Sequence, residues 1–271
     1  MRLSITALLL ALGFLAARAD AQSVWPGSSD WKALQVSGSN YTDPSGPTPD
    51  TIDIRGDSTY AAGYWSYDTT NANLFFRMRL DKKPSNPTSV WQVLLDTDTD
   101  TDIDWVLQLD ESGDNQMELV AASTGGTKFS DVSLSSSSSW SGATSTYSRF
   151  VDPTGDSSNF DGNSDAFLDM YIPWSSFSSA TGLTTSSSFR IGLSTSTTHT
   201  AIGKDFPLAL TSSSSVKDGF SDPIAAVPEP GTWALFLAGL GLVLASHRVR
   251  RRRAGKRAVE AAPVSCGRDA E

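Results

Sequence analysis

The protein has 271 residues, of which 39% are hydrophobic and 10% aromatic, with a formal net charge of −9. A chain of this length and apolar content can bury a core, and disordered chains are poor in aromatic residues, so disorder throughout the chain is excluded. Two histidines and one cysteine exclude zinc sites of the Cys/His type and a framework of disulfides.

Residues 1–21 have the order of a secretory signal peptide. Arg2 precedes an apolar stretch at residues 8–17, and a small-x-small site at residues 19–21 predicts cleavage before Gln22. We therefore expect export through the Sec translocon.

Alternation of apolar and polar residues dominates residues 22–210, which we expect to form the exported domain. Within 73–80, the apolar side chains share one face and both arginines point the other way. Similar runs occur at residues 51–55, 60–67, 90–95, 103–110, 116–122, 128–134, 166–172 and 189–195. Turn-forming residues separate these runs, so the pattern predicts an all-β fold, an antiparallel β-sandwich of the jelly-roll type. The serine run at 135–139 is typical of a loop, and serine-rich residues 211–227 are typical of a linker.

An aspartate ladder is the most conspicuous chemical feature of this domain. Its five members alternate with other residues: Asp96, Asp98, Asp100, Asp102 and Asp104. In an extended strand they would share one face at a spacing of about 7 Å and repel one another. A loop of this type between two strands suits a structural Ca²⁺, which takes many oxygen ligands in irregular geometry. The alternative is a solvated acidic hairpin connection, in which aspartate suits the geometry of the turn.

Three aromatic residues, Tyr64, Trp65 and Tyr67, are candidates for ligand contact. Tyr64 and Trp65 must face opposite sides of a strand, and an exposed flat ring can stack on a sugar. The alternative is that the tryptophans belong to the core, as large aromatic residues usually do. That alternative covers Trp65, Trp91, Trp105 and Trp174.

The charge of the exported segment restricts its partners. Residues 22–227 carry 25 acidic and 11 basic side chains, a net charge of −14, which argues against binding of nucleic acid or anionic lipid. His199 is the one histidine in the segment, and no nucleophile is marked near it in sequence. We expect a non-enzymatic protein. A glycoside hydrolase that uses Asp or Glu is the less favoured alternative, since Glu111 and Glu118 lie in an acidic region without a recognisable pocket.

A second targeting signal lies near the C-terminus. The sequence Pro228-Glu229-Pro230 precedes an apolar run at 232–247, which we expect to cross the inner membrane before processing. An arginine cluster follows, and the excess of positive charge places this end in the cytoplasm. The cluster consists of Arg248, Arg250, Arg251, Arg252 and Arg253.

This arrangement at residues 228–253 resembles the PEP-CTERM sorting signal of Gram-negative bacteria. The resemblance implies recognition by a membrane exosortase, cleavage near the Pro-Glu-Pro motif, and a final location at the cell surface or in the extracellular matrix, often in a biofilm. The basic tail at 254–271 is longer than is usual in this signal.

The order of elements in the exported domain is similar to that of DOMON-like sandwiches and family 9 carbohydrate-binding modules. The similarity rests on the runs at 74–80, 91–98 and 171–174 and on Lys204-Asp205. It implies a sandwich fold. We expect an exported surface or matrix protein that binds polysaccharide and holds a structural calcium ion. The alternative is a matrix or envelope protein without a small ligand, which acts through display and acidic charge.

Overall fold

The computed structural model describes residues 25–44, 52–84, 89–111, 115–123, 126–152, 158–160, 162 and 164–225. These residues form mostly β-strands with few helices, and the paired strands are antiparallel. The predicted all-β fold is confirmed. The signal peptide, the sorting motif, the apolar run at 232–247 and the basic tail lie outside the described residues. Among the described residues, no helix is long and apolar enough to cross a membrane.

Thirteen strands and two short α-helices are described in chain order. The strands are β1 Lys32–Ala33, β2 Gln35–Val36, β3 Ser39–Asn40, β4 Gly63–Asp68, β5 Asn73–Leu80, β6 Val90–Asp96, β7 Trp105–Asp110, β8 Gln116–Ala122, β9 Leu134–Ala143, β10 Ser148–Val151, β11 Ala166–Pro173, β12 Ser188–Ser196 and β13 Ile224–Ala225. The helices are α1 Thr144–Tyr147 and α2 Trp174–Thr181. Single 3₁₀ turns lie at Ser28–Asp30, Phe129–Asp131 and Val216–Gly219.

Two sheets make the sandwich. One has five strands in the order β1-β4-β5-β11-β10, and the other has six in the order β13-β12-β6-β7-β8-β9. A small third pairing joins β2 to β3. Strands β6 to β9 form a continuous meander, so residues far apart in this stretch meet across one sheet face.

The core lies between the two sheets and follows the alternation seen in sequence. Leu74, Phe76 and Met78 of β5 point inward, whereas Arg77 and Arg79 lie on the outer face of their sheet. Leu107 of β7 meets them from the other sheet within the same cluster. Burial of these side chains supplies the main stabilisation of the fold, at about 25 cal/mol for each Å² of apolar surface removed from water.

Helix α2 closes one end of this core and helps to shape the surface discussed below. It follows Pro173, contacts β9 and β11, and buries Phe177. It ends at Gly182, whose φ of 75° is the left-handed conformation that commonly terminates a helix. Four of the eight residues of the helix are serines, so it presents several hydroxyl groups.

The serine-rich segment at 211–227, expected to be a linker, is part of the fold as far as Ala225. Val216 and Phe220 are buried in a second cluster that covers the outer face of the six-stranded sheet. Strand β13 pairs with β12 at the edge of that sheet. The sandwich therefore extends beyond residue 210, because two apolar side chains in a polar stretch were enough to anchor it.

Strand β9 includes a segment that was predicted to be a loop. Residues 135–139, expected to be a loop, belong to this edge strand, which pairs with β8. Their side chains are mostly exposed. An edge strand needs main-chain pairing on one side only, and serine offers no apolar alternation that would reveal it. By contrast, part of the run at 128–134 forms the 3₁₀ turn Phe129–Asp131.

Candidate functional site

The aspartate ladder forms the turn between β6 and β7 and is not extended. Thr99 and Thr101 have φ values of 67° and 79°, so the chain folds back on itself there. The turn brings carboxylate oxygens of Asp96, Asp98 and Asp104 within 4.8 Å of one another. We call this group of three carboxylates the acidic turn. Asp100 and Asp102 lie outside the group.

The members of the acidic turn differ in burial and in their hydrogen bonds. Asp96 is fully buried at the end of β6; its Oδ2 accepts a bond from the Thr101 amide, whereas its Oδ1 has no bonding partner among the described residues. Asp104 is half-buried, and its Oδ2 accepts bonds of 2.7 Å from the amide and hydroxyl of Thr97. Asp98 is exposed and accepts from the Asp100 amide at 3.1 Å. All three carboxylates thus accept a hydrogen bond from a main-chain amide within the turn.

Electrostatics in the acidic turn favours a compensating positive charge. Burial raises the pKa of Asp96, although the nearby amides of Thr101 and Thr99 and the Arg190 side chain oppose the increase. The Asp100 amide lowers the pKa of Asp98, but desolvation and the charges of Asp104 and Asp100 outweigh it, so that pKa is raised overall. The Arg190 Nε lies 4.0 Å from Asp96 Oδ2 and offsets one charge of the three. A divalent cation would neutralise the two negative charges that Arg190 leaves uncompensated.

A second acidic cluster was not found from the sequence, because its members come from distant parts of the chain. Asp43, Asp53 and Asp205 are all buried and place carboxylate oxygens within 4.8 Å of one another. Asp205 Oδ2 accepts a bond of 2.6 Å from the Ile54 amide, and an Arg55 nitrogen lies 3.6 Å from Asp53. Burial raises the pKa of Asp205 to about 6, against the effect of the Ile54 and Phe206 amides and of Arg55. Such a cluster can share a proton or a cation.

The three predicted aromatic residues do not form one surface. Trp65 points into the core and is only 6% exposed. Tyr64 lies on the outer face, where its hydroxyl accepts a bond of 3.1 Å from Arg79. Tyr67 packs at the edge of the core, edge-on to Trp174. Stacking of one sugar chain on all three rings is therefore not supported by their arrangement.

The residues considered for hydrolysis lie in or near two neighbouring strands, β7 and β8. His199 is half-exposed, with its Nδ1 at 3.6 Å from Asp110. Glu118 accepts a bond of 3.4 Å from the Gln108 side chain on the outer face of the six-stranded sheet. Burial raises the pKa of Glu111, which follows β7.

An open groove of about 620 Å³ lies beside α2. Its lining consists of two half-buried tryptophans, four serines and one alanine: Trp105, Ser139, Trp140, Ser175, Ser176, Ser179 and Ala180. We call this surface the tryptophan groove. No charged side chain is among the described residues that line it.

Comparison with known protein families finds the PEP-CTERM protein-sorting motif at residues 226–253. The chain carries this sorting signal. It is therefore an exported protein that is anchored in the membrane before an exosortase processes it. No curated protein and no solved structure matches the chain.

The PEP-CTERM match includes the predicted motif at Pro228, Glu229 and Pro230 and the arginine cluster that ends at Arg253. It begins one residue after β13, the last described strand. Processing at the PEP-CTERM motif would therefore leave every described element of the sandwich intact.

The tryptophan groove was missed in the sequence for an identifiable reason. Both tryptophans do contact the core, so the prediction that Trp105 is a core residue describes only one side of its ring. Trp140 lies in β9, which was not predicted as a strand because its serines give no apolar alternation. The available signal was the serine content of α2 together with that of β9, a serine-rich strand that also contains Trp140.

Proposed function

We propose that this exosortase-sorted protein is a non-catalytic component of the cell surface or extracellular matrix of a Gram-negative bacterium, and that its sandwich binds polysaccharide and is stabilised by calcium. Export and membrane anchoring follow from the sorting motif. The observation that carries the proposal for the sandwich is the convergence of three carboxylates in the acidic turn. Calcium bound there would stabilise a turn that otherwise holds like charges together.

The donor set of the acidic turn suits calcium better than other common ions. Three carboxylates are hard oxygen donors, and Ca²⁺ accepts six to eight such ligands in flexible geometry. Sulfur and imidazole, which favour zinc or copper, are not in the group. Asp96 and Asp104 would serve as the fixed ligands, with Asp98 as the exposed one, and water and main-chain oxygens would complete the set. The role is structural, since the turn joins two central strands of one sheet.

The cation test compares two aspartates of the turn that are alike except in position. Asp98 and Asp100 are both exposed, and each accepts a hydrogen bond from the amide two residues later, which asparagine can still accept. Only Asp98 belongs to the group of three. Calcium at about a hundred times its Kd should raise the Tm of the wild type and of Asp100→Asn by roughly 5–10 °C, since ligand binding stabilises the folded state.

In Asp98→Asn that increase should be much smaller at the same calcium concentration. Differential scanning fluorimetry with calcium and with a chelator measures it. Equal calcium responses in both variants, or none in the wild type, would contradict the cation site and support the solvated hairpin.

Polysaccharide binding is the second part of the proposal. The export route supports it, and so does the order of sequence elements, which resembles that of carbohydrate-binding sandwiches. Residues 22–227 contain every described element and are suitable for the test. We expect this fragment to co-sediment with at least one insoluble polysaccharide in calcium, and to be retained less in chelator. A fragment that stays in the supernatant with every polysaccharide in both conditions would favour the alternative, a matrix protein that acts through display and acidic charge.

A further inference from the structure

The tryptophan groove owes its shape to three neighbouring strands. Trp105 begins β7 and Trp140 lies in β9, with β8 between them. Trp105 pairs with Ala121 and Trp140 with Leu119, so the two residues are separated by two strand spacings, about 10 Å across the sheet, and by two positions along it. The β8 residue opposite Trp105 is Ala121, which has a small side chain. The pairing of β8 with β9 shifts in register around Val120. Two aromatic surfaces therefore border one depression.

The other polar part of the groove lining consists of serine hydroxyl groups. Helix α2 contributes Ser175, Ser176 and Ser179, and β9 contributes Ser139 beside Trp140. A serine hydroxyl can both donate and accept a hydrogen bond. The hydroxyl groups of a sugar have the same capacity, and the apolar face of a sugar ring suits an indole. The volume of about 620 Å³ is in the range of small-molecule sites.

Charge restricts what this groove can hold. The described lining has no charged side chain that would pair with an ionic ligand. Asp104 of the acidic turn directly precedes Trp105, and the exported segment has a net charge of −14. Anionic polymers would be repelled on approach. A neutral ligand rich in hydroxyl groups needs no ionic partner in the groove and is not repelled by the negative charge.

We propose that the tryptophan groove is the saccharide site of the protein, and that it takes a neutral glycan chain. This inference rests on the proposed polysaccharide binding and assigns it a location and a ligand class. One sugar face stacks on Trp140 and another on Trp105, while the serines of α2 and β9 bind the ring hydroxyls.

The experiment measures binding of soluble oligosaccharides to residues 22–227 by isothermal titration calorimetry. The probes are the hexasaccharides of β-linked glucose, mannose and xylose, with an oligogalacturonate as the anionic comparison. Trp140→Ala should weaken binding of a neutral hexasaccharide by about tenfold or more, as expected for an aromatic anchor. The double variant Ser175→Ala/Ser179→Ala should also weaken it, and it spares the core because both side chains are exposed.

Two controls separate a site from a general loss of structure. Ser178→Ala changes the same helix outside the groove. Trp31→Ala removes a half-buried indole that packs against Phe75 of the five-stranded sheet. Both should bind like the wild type, and the Tm of each variant shows whether it is folded at the assay temperature.

Each failure has a distinct meaning. If the wild type binds a neutral sugar and the groove variants bind it equally well, the saccharide site lies elsewhere and the proposed function stands. If only the anionic probe binds, the ligand class is wrong. If the wild type binds no saccharide, the proposed function and the groove fail together.

Discussion

Asp169→Asn should lower the free energy of unfolding by about 3–5 kcal/mol, because it removes the shared acceptor of two partly buried arginines. Asp169 lies on the outer face of β11 and its side chain is fully buried. The Arg77 guanidinium donates to it at 2.6 and 2.9 Å, and Arg149 donates at 2.9 Å. Asparagine has nearly the same shape but leaves both positive charges without their carboxylate.

Arg77 cannot readily turn to water when this partner is lost. Its guanidinium lies between the rings of Trp31 and Phe167, at 4.1 and 4.3 Å from their centroids. The side chain is 13% exposed. The charge would therefore stay where it is, with less compensation.

Urea unfolding followed by tryptophan fluorescence measures the effect. The matched control is Asp152→Asn, whose pair with Lys83 spans 3.9 Å between side chains that are 78% and 50% exposed. Exposed pairs contribute little, so this control should lose less than about 1 kcal/mol. Similar losses in both variants would show that the Asp169 network does not stabilise the sandwich.

Asp205→Asn should make the protein more stable near pH 7.5 and should flatten its dependence on pH. Because burial raises the pKa of Asp205 to about 6 from 3.8, the folded protein binds a proton more readily than the unfolded chain. This carboxyl therefore stabilises the fold most below pH 4, and the contribution is lost as the pH rises through 6. The full difference is about 3 kcal/mol.

Asparagine imitates the protonated acid at every pH, and its oxygen can still accept from the Ile54 amide. Unfolding free energies of the wild type and the variant, measured from pH 4 to 8 with a chelator present, should diverge above pH 6 and converge at pH 4. A variant that is less stable than the wild type at pH 7.5 would mean that the ionised carboxylate is favourable in its cluster.

Sequence predicted well those strands in which burial imposes a period of two. In β5 the alternation of apolar residues with Arg77 and Arg79 identifies the inner and outer faces, because a strand between core and surface must alternate. The opposite orientation of Tyr64 and Trp65 follows from the same rule. Where a strand lies at an edge and carries serine, as in β9, main-chain pairing alone holds it and the pattern gives no signal.

The candidate sites were predictable only where their residues are close in sequence. The aspartate ladder was visible because five carboxylates alternate, but which three converge depends on the backbone of Thr99 and Thr101. The cluster of Asp43, Asp53 and Asp205 joins three distant segments. Likewise, the groove brings Trp105 and Trp140 together through strand order, which alternation does not determine.

The most direct test of polysaccharide binding at the tryptophan groove is an NMR titration of ¹⁵N-labelled residues 22–227 with a neutral hexasaccharide. The seven indole N–H signals of this fragment report on each tryptophan separately. We expect the signals of Trp105 and Trp140 to shift with a common binding curve, and those of Trp31, Trp65 and Trp91 to stay in place. Shifts confined to tryptophans outside the groove, or no shift at saturating sugar, would contradict it.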